Sequence, residues 1–144
     1  MGGALASAIA KTEHSLFLTD MDAAKASALA ERLSATACSV DALVEQCDVI
    51  LLGVKPQGLA SLADSIAPIV KKRGASLTLV SMCAGVSLER LHALFGADAK
   101  IIRIMPNTPA AVGQGMILYV PGKACERQTL RSSSPLLPLP ESFP

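Results

Sequence analysis

The feature that most constrains this fold is an unbroken apolar run that ends in a proline turn. Residues 49–54 read Val-Ile-Leu-Leu-Gly-Val and lead directly into Lys55-Pro56-Gln57. A strand with one face in water alternates apolar and polar residues, whereas an unbroken apolar run is typical of a strand covered on both faces. Such strands occur in parallel sheets, whose neighbouring strands are joined by crossover helices. The run therefore predicts an α/β protein.

The remaining segments alternate between strand-like and helix-like patterns, and Pro68 should bend or end the third long helix. The predicted helices cover residues 2–11, 23–33, 58–72 and 87–95, with a shorter turn from Ser39 or Asp41 to Gln46. The predicted strands cover residues 15–19, 49–54, 76–82, 100–105 and 116–120. Regular alternation of this kind indicates a doubly wound, mostly parallel sheet with right-handed crossovers, which is a Rossmann-like architecture.

Both ends depart from that architecture. No strand pattern precedes the first helix, so we expect an incomplete sheet whose first strand is missing and whose exposed edges favour aggregation. After residue 122 the periodicity stops, and residues 127–144 carry three consecutive serines and four prolines. The predicted organisation is a nucleotide-binding domain over residues 1–122 and a disordered C-terminal tail over residues 123–144.

Composition excludes several classes of function. Apolar residues make up 51% of the chain and the net charge is +1, with no Lys- or Arg-rich run longer than residues 71–73, so a nucleic acid partner is not expected. No apolar run approaches the roughly 20 residues that span a bilayer, and no membrane partner is expected. The four cysteines form no CxxC pair, which argues against zinc and favours reduced thiols in the cytoplasm.

A second turn-rich loop follows the predicted strand at residues 100–105. The loop contains Asn107 and Thr108 together with two prolines and two glycines, and Arg103 lies in the apolar strand just before it. Loops that follow parallel strands meet at the same edge of a sheet, where such proteins bind ligands. Asn107 and Thr108 would hydrogen-bond a nicotinamide amide or only cap the loop, and Arg103 would pair with a carboxylate or face the site.

The N-terminal segment has the spacing of a dinucleotide site. Gly2 and Gly3 stand at the start of a predicted helix, and Asp20 follows 18 positions later at the end of a predicted strand. Glycines at a helix start let backbone amides approach a pyrophosphate, and an acidic residue about 20 positions on accepts hydrogen bonds from ribose hydroxyls. The alternatives are plain packing for the glycines and a solvated turn or cap for Asp20. Because Met21 rather than Arg follows, the carboxylate favours NADH over NADPH.

Two further strand ends complete the candidate site. At the end of the first of these strands, Lys55 would either point into the crevice or lie in an ordinary surface turn. At the end of the other, the small residues Cys83-Ala84-Gly85 would either leave room for a ribose or nicotinamide or simply form a tight turn. Neither His14 nor His92 has a partner at catalytic spacing.

Four segments together resemble the pyrroline-5-carboxylate reductase family. Residues 1–5 are similar to the end of that family's GxGxMGxA turn, residues 48–57 to its D-V-hydrophobic-VKPQ strand, residues 80–86 to its S-x-x-AGV turn, and residues 103–115 to its R-x-MPNTPA-x-VG-x-G loop. The resemblance covers about residues 1–120 and implies an N-terminal Rossmann domain that holds NADPH or NADH. It implies cofactor contacts at Gly2, Asp20, Gly53, Val54, Lys55, Pro56, Met82, Cys83, Ala84 and Asn107.

The resemblance also implies a reaction, in which a hydride passes from the nicotinamide to the imine carbon of 1-pyrroline-5-carboxylate to give L-proline. The family's first strand and its helical domain, which binds substrate and builds the homo-oligomer, have no counterpart in these 144 residues. No catalytic residue is therefore carried over, and we expect an inactive fragment. The alternatives are another Rossmann reductase, such as a coenzyme F420-dependent NADP reductase or a prephenate dehydrogenase-like protein, and a non-catalytic nucleotide-binding module.

Overall fold

A computed structural model of the chain describes residues 2–106 and 117–125, and all structural statements below refer to them. Five helices are described: α1 (Gly2–Ile9), α2 (Ala23–Leu33), α3 (Val40–Gln46), α4 (Pro56–Arg73) and α5 (Leu88–Phe95). The described strands are β1 (Phe17–Leu18), β2 (Thr36–Ala37), β3 (Val49–Leu52), β4 (Thr78–Ser81), β5 (Lys100–Pro106) and β6 (Ile117–Pro121). A short 3₁₀ turn (Gly74–Ser76) follows α4.

The strands form two sheets. β3, β4 and β5 are parallel neighbours, and β6 joins β5 in the antiparallel direction. β1 and β2 form a separate parallel pair. The predicted α/β, mostly parallel architecture is confirmed, and its predicted incompleteness takes the form of a break between β1 and β3.

Helices cover the larger sheet on both faces. On one face, a cluster that includes Ile50, Leu79 and Ile101 packs with residues of α3, α4 and α5. On the other face, Leu5 of α1 packs with Val80, Ile102 and Ile104. This two-sided cover explains why β4, the strand between two parallel neighbours, is buried at every position.

Side-chain caps fix the helix starts. Asp22, Ser39 and Ser87 each accept a hydrogen bond from a backbone amide in the first turn of the helix that follows. Of the two candidates for the start of α3, Ser39 is therefore the cap, and Asp41 lies in the first turn.

Helix α4 differs most from its prediction. It begins at Pro56, a residue type that suits the first helical position because its missing N–H is not needed there. Pro68 was expected to bend or end the helix, and it does not end it, since α4 continues to Arg73. Ile66 and Val70, on either side of the exposed proline, are 1% and 4% exposed, so core packing holds both halves of the helix in place.

The chain beyond β6 remains against the sheet for a few residues. The amide of Gly122 donates to the Ile101 carbonyl at 2.7 Å, and the Cys125 thiol lies 3.3 Å from the same oxygen. Cys125 of the predicted tail thus contacts β5, and residues 126–144 lie outside the described residues. Among the described helices, none combines the length and apolar character needed to cross a membrane.

Candidate functional site

The backbones of Gly2 and Gly53 meet at the carboxyl end of β3. A Cβ built on Gly53 would lie 3.5 Å from the Cα of Gly2 and 3.9 Å from the Sδ of Met82. A Cβ built on Gly2 would lie 3.8 Å from the Cα of Gly53. The start of α1 and the turn that leaves β3 therefore lie so close that one methyl group on either glycine would be in van der Waals contact with the other.

An open cleft runs over this contact. Six of the predicted site residues line it: Gly2, Asp20, Gly53, Val54, Lys55 and Met82. They come from the start of α1 and from the ends of β1, β3 and β4. The expectation that strand ends would assemble one crevice is thus met for these six positions.

The electrostatics of the cleft differ from one end to the other. The N-terminus of α1 carries partial positive charge, and no acidic residue in the first turn of the helix offsets it. The exposed side chain of Lys55 adds a positive charge on the same cleft. Asp20 is an exposed residue of the same cleft, and its Oδ1 accepts a hydrogen bond from the Asp22 amide at 2.9 Å. The helix end suits an anionic group, and the carboxylate suits a hydroxyl donor.

Three of the other predicted residues do not line the cleft. Pro56 is the first residue of α4, and Ala84 is exposed in the turn after β4. Cys83 is 2% exposed, and its Sγ lies 3.2 Å from the Val54 carbonyl and 3.8 Å from that of Leu52. The thiol therefore supports the β3 turn from behind the cleft.

Burial keeps Cys83 a thiol. It raises the pKa of this group above its ordinary value, and a hydrogen bond with Ser81 opposes that increase. A protonated thiol acts as a weak donor to the two carbonyl oxygens, which suits a supporting role.

Asn107 and Thr108 lie outside the described residues.

Arg103 has a third role that neither sequence interpretation included. Its Nε donates to the Val86 carbonyl at 2.8 Å, and neither of the two ion pairs among the described residues involves it. The guanidinium thereby connects β5 to the loop that follows β4. This carbonyl oxygen accepts one of the five N–H donors of the guanidinium.

Met21, which the sequence analysis used only as evidence on cofactor choice, is itself a cleft residue. It lines the cleft beside Asp20 and is the most exposed large apolar residue described, at 104%. The signal in the sequence was a lone methionine between Asp20 and Asp22, in a turn where apolar residues have no packing reason to occur.

In the described part of the chain, no group of three or more His, Cys, Asp or Glu is arranged to hold a metal.

Comparison with known proteins places this site in a family. Residues 1–85, more than half of the chain, match the model of the family described as NADP oxidoreductase, coenzyme F420-dependent. Pyrroline-5-carboxylate reductase from Haemophilus influenzae is 42% identical over 82 residues, which are 56% of this chain and 29% of that relative. The chain belongs to the pyrroline-5-carboxylate reductase family.

Solved structures of pyrroline-5-carboxylate reductases share the fold. The Streptococcus pyogenes enzyme superposes with a TM-score of 0.79 at 26% identity, over 94% of this chain and 50% of that one. The Plasmodium falciparum enzyme, solved with NADP bound, gives a TM-score of 0.74 at 27% identity over 94% and 49% of the two chains. The chain thus spans half or less of the length of these relatives.

Proposed function

We propose that this chain binds NADPH or NADH as the nucleotide-binding part of a pyrroline-5-carboxylate reductase. The observation that carries the proposal is the contact between Gly2 and Gly53, which leaves bare backbone at the start of α1, at the carboxyl edge of a parallel sheet. This is where doubly wound folds bind dinucleotides. The names of the curated relatives and the NADP bound to the Plasmodium structure support the same conclusion.

The residues of the cleft fit the parts of a dinucleotide. The α1 N-terminus would hold the pyrophosphate, because its free amides and partial positive charge favour an anion and the missing side chains of Gly2 and Gly53 leave room for one. Asp20 would accept hydrogen bonds from ribose hydroxyls. Val54, Lys55 and Met82 would border the nicotinamide half, with Pro56, Cys83 and Ala84 fixing the turns beside it.

When bound, the reduced nicotinamide supplies a hydride to the imine carbon of 1-pyrroline-5-carboxylate, and the protonated imine nitrogen becomes the amine of L-proline. The described residues contribute binding and orientation, which is the main work of a protein around such a cofactor. The imine is an electrophile once protonated, so the step requires no protein nucleophile. We therefore assign no catalytic residue to the described part of the chain.

The choice between the two cofactors depends on Asp20 and Met21. A carboxylate at the ribose repels a 2′-phosphate, and neutral Met21 offers no counter-charge. These residues favour NADH, whereas the Plasmodium relative was solved with NADP. We propose that both forms bind and that Asp20 sets their ratio.

Substrate binding and subunit assembly are assigned to no described residue. This chain covers half or less of the length of these relatives, and we expect this polypeptide alone to form little proline. The balance of exposed charge and free cysteines suits a reducing cytoplasm, which we propose as its location.

The test separates cofactor binding from turnover. Titration calorimetry with each reduced cofactor measures binding, and NADPH oxidation with 1-pyrroline-5-carboxylate measures turnover. The proposal is supported if Gly53→Val weakens cofactor binding and Gly58→Ala leaves it unchanged. Gly58→Ala is the control because a Cβ on Gly58 meets no atom within 4 Å. Absence of binding to both cofactors by the folded chain contradicts it.

A second candidate follows from the matched family description, which names coenzyme F420. In that case the hydride would pass between NADP and a deazaflavin instead of an imine. Reduction of NADP by reduced F420 in the presence of this chain, with no effect of 1-pyrroline-5-carboxylate, would favour this candidate. The curated relatives favour the imine.

A further inference from the structure

We propose that Lys25 binds the 2′-phosphate of NADPH, and that it leaves its ion pair with Asp22 to do so. The inference rests on the proposed function, because it assigns a further residue to the same nucleotide cleft. Lys25 supplies the positive charge that Met21, next to Asp20, does not provide. It would thus determine cofactor specificity together with Asp20.

Lys25 lies on the cleft in the segment that follows β1. It lines the same cleft as Asp20, whereas its ion-pair partner Asp22 does not. The Lys25 side chain is 77% exposed, so its flexible four-carbon stem can carry the ammonium group toward a bound ligand. Among the described residues, the other lysines on the cleft are Lys55, just before α4, and Lys100, at the start of β5. Lys25 is therefore the lysine that shares a segment with Asp20.

The position of Lys25 in α2 does not favour a lysine. Asp22 is the N-cap, so Lys25 is the third residue of the helix. The N-terminus of a helix carries partial positive charge, and a cation in the first turn is unfavourable there. Glu or Gln at the third position completes a capping box, which lysine cannot do. A residue that opposes a local rule of helix stability is a candidate for a role in function.

The ion pair that holds Lys25 can be exchanged at little cost. The Lys25 Nζ lies 3.7 Å from Oδ2 of Asp22, and the Asp22 side chain is 49% exposed. The other carboxylate oxygen of Asp22, Oδ1, accepts hydrogen bonds from the amides of Ala24 and Lys25 at 3.1 and 3.4 Å. Asp22 therefore stays bound to the helix start when the ammonium group leaves. Exposed ion pairs of this spacing contribute little to stability.

A 2′-phosphate is a stronger partner for Lys25 than the Asp22 carboxylate. A phosphate monoester carries a charge of about −1.5 to −2 at neutral pH and presents three acceptor oxygens, whereas a carboxylate carries a single charge. Asp20, proposed to accept hydrogen bonds from the ribose hydroxyls, is itself bonded through Oδ1 to the Asp22 amide at 2.9 Å. The ribose site and Lys25 thus share Asp22 as a neighbour, which places the ammonium group beside the 2′ position.

Exchange of the ion pair would explain how a cleft that contains Asp20 binds both cofactors. With NADH, Asp20 accepts a hydrogen bond from the 2′-hydroxyl and Lys25 stays paired with Asp22. With NADPH, the Lys25 ammonium group moves to the phosphate and offsets the repulsion of that phosphate by Asp20. The affinity for NADPH should therefore fall more steeply with added salt than the affinity for NADH, because salt screens charge interactions at an exposed site.

The experiment titrates the 144-residue chain and its variants with NADPH and with NADH by calorimetry. Lys25→Gln removes the charge and Lys25→Arg keeps it. Lys72→Gln is the matched control, because Lys72 is an exposed lysine outside the cleft. We expect Lys25→Gln to weaken NADPH binding about tenfold and to change NADH binding less than about twofold. Lys25→Arg and Lys72→Gln should keep the NADPH affinity of the parent chain.

A variant of Asp22 tests the exchange itself. Asn caps a helix about as well as Asp, so Asp22→Asn frees the Lys25 ammonium group and keeps the start of α2. We expect this variant to bind NADPH about threefold more tightly than the parent and NADH equally. The gain should become smaller when Asp22→Asn is combined with Lys25→Gln. An identical gain with and without the lysine would contradict the exchange.

Equal effects of Lys25→Gln on the two cofactors, or an effect on neither, would overturn the assignment of Lys25. An equal loss of NADPH affinity in Lys72→Gln would also overturn it, because net charge would then be responsible. So would a parent chain that binds NADH and not NADPH. In each of these cases a nucleotide still binds and the proposed function stands, whereas absence of binding to both cofactors would overturn the proposed function as well.

Discussion

The Cα of Gly2 lies 3.5 Å from the point that a Cβ on Gly53 would occupy, so the start of α1 rests directly on the turn after β3. This distance is ordinary van der Waals contact, and it predicts different outcomes for two substitutions. Gly53→Ala should leave Tm within about 2 °C of the parent. Gly53→Val should weaken NADPH binding about tenfold or more, equivalent to about 1.4 kcal/mol, because its branches enter the cleft. Calorimetry checks the affinity, and a Gly53→Val variant that binds like Gly58→Ala would contradict this account.

Cofactor choice should depend on Asp20. Replacing this carboxylate by serine removes the charge that opposes a 2′-phosphate, and we expect the ratio of NADPH to NADH affinity to rise about tenfold. Asp64 is an exposed carboxylate on α4 outside the cleft, so Asp64→Asn is the matched control. An unchanged ratio in Asp20→Ser, with both cofactors still bound, would remove Asp20 from the site.

Arg73 should stabilise the fold more through its hydrogen bonds to the end of α3 than through its ion pair with Asp48. Its Nη1 donates to the carbonyl oxygens of Val44, Glu45 and Cys47 at 3.0, 2.7 and 3.0 Å, which satisfies the C-terminal end of α3. Its pairing with Asp48 spans 3.3 Å, but the Asp48 side chain is 88% exposed. Arg73→Ala should cost about 1.5–3 kcal/mol of unfolding free energy. Asp48→Asn should cost less than about 1 kcal/mol.

Urea denaturation of these two variants measures the difference. Arg73→Lys keeps the charge but loses the planar fork, so it should recover only a part of the stability. Equal losses for Arg73→Ala and Asp48→Asn would mean that the ion pair, and not the helix end, is what Arg73 stabilises.

Stability should fall at alkaline pH because of three thiols. Burial is the largest cause that raises the pKa of Cys47, Cys83 and Cys125 above the ordinary value of 9.0. The folded chain then keeps these protons at a pH where the unfolded chain loses them. Their contribution is fully present below 9.0 and is lost as the pH rises through the folded pKa values.

Denaturation series at neutral pH and above about pH 9 check this prediction. The loss of unfolding free energy between the two should shrink in a variant with all three cysteines replaced by alanine, even if that variant is less stable at neutral pH. An identical pH dependence in parent and variant would show that other groups are responsible.

The sequence predicted those helices and strands whose residue patterns lie within the element itself or within a few residues of it. An unbroken apolar run predicted β3, and Ser87 predicted the start of α5, because burial on both faces and capping act within a few residues. Gly2, Asp20, Gly53 and Lys55 could be placed on one cleft because the ends of parallel strands share an edge.

The features that the sequence did not predict depend on distant packing. β2 is two exposed residues, Thr36–Ala37, with no periodicity to detect, and it exists only by pairing with β1. Pro68 failed to end α4 because Ile66 and Val70 are held by residues from other elements. Cys83 was expected at the cofactor, and its thiol instead lies behind the cleft against Val54, which only the folded turn determines.

We propose that the start of α1 and the end of β3 form a nicotinamide nucleotide site, and titration of the folded 144-residue chain with NADPH and NADH tests this proposal. We expect saturable binding of at least one of them, lost in Gly53→Val and kept in Gly58→Ala. No binding of either nucleotide to the folded parent chain, or equal binding to both variants, would contradict it.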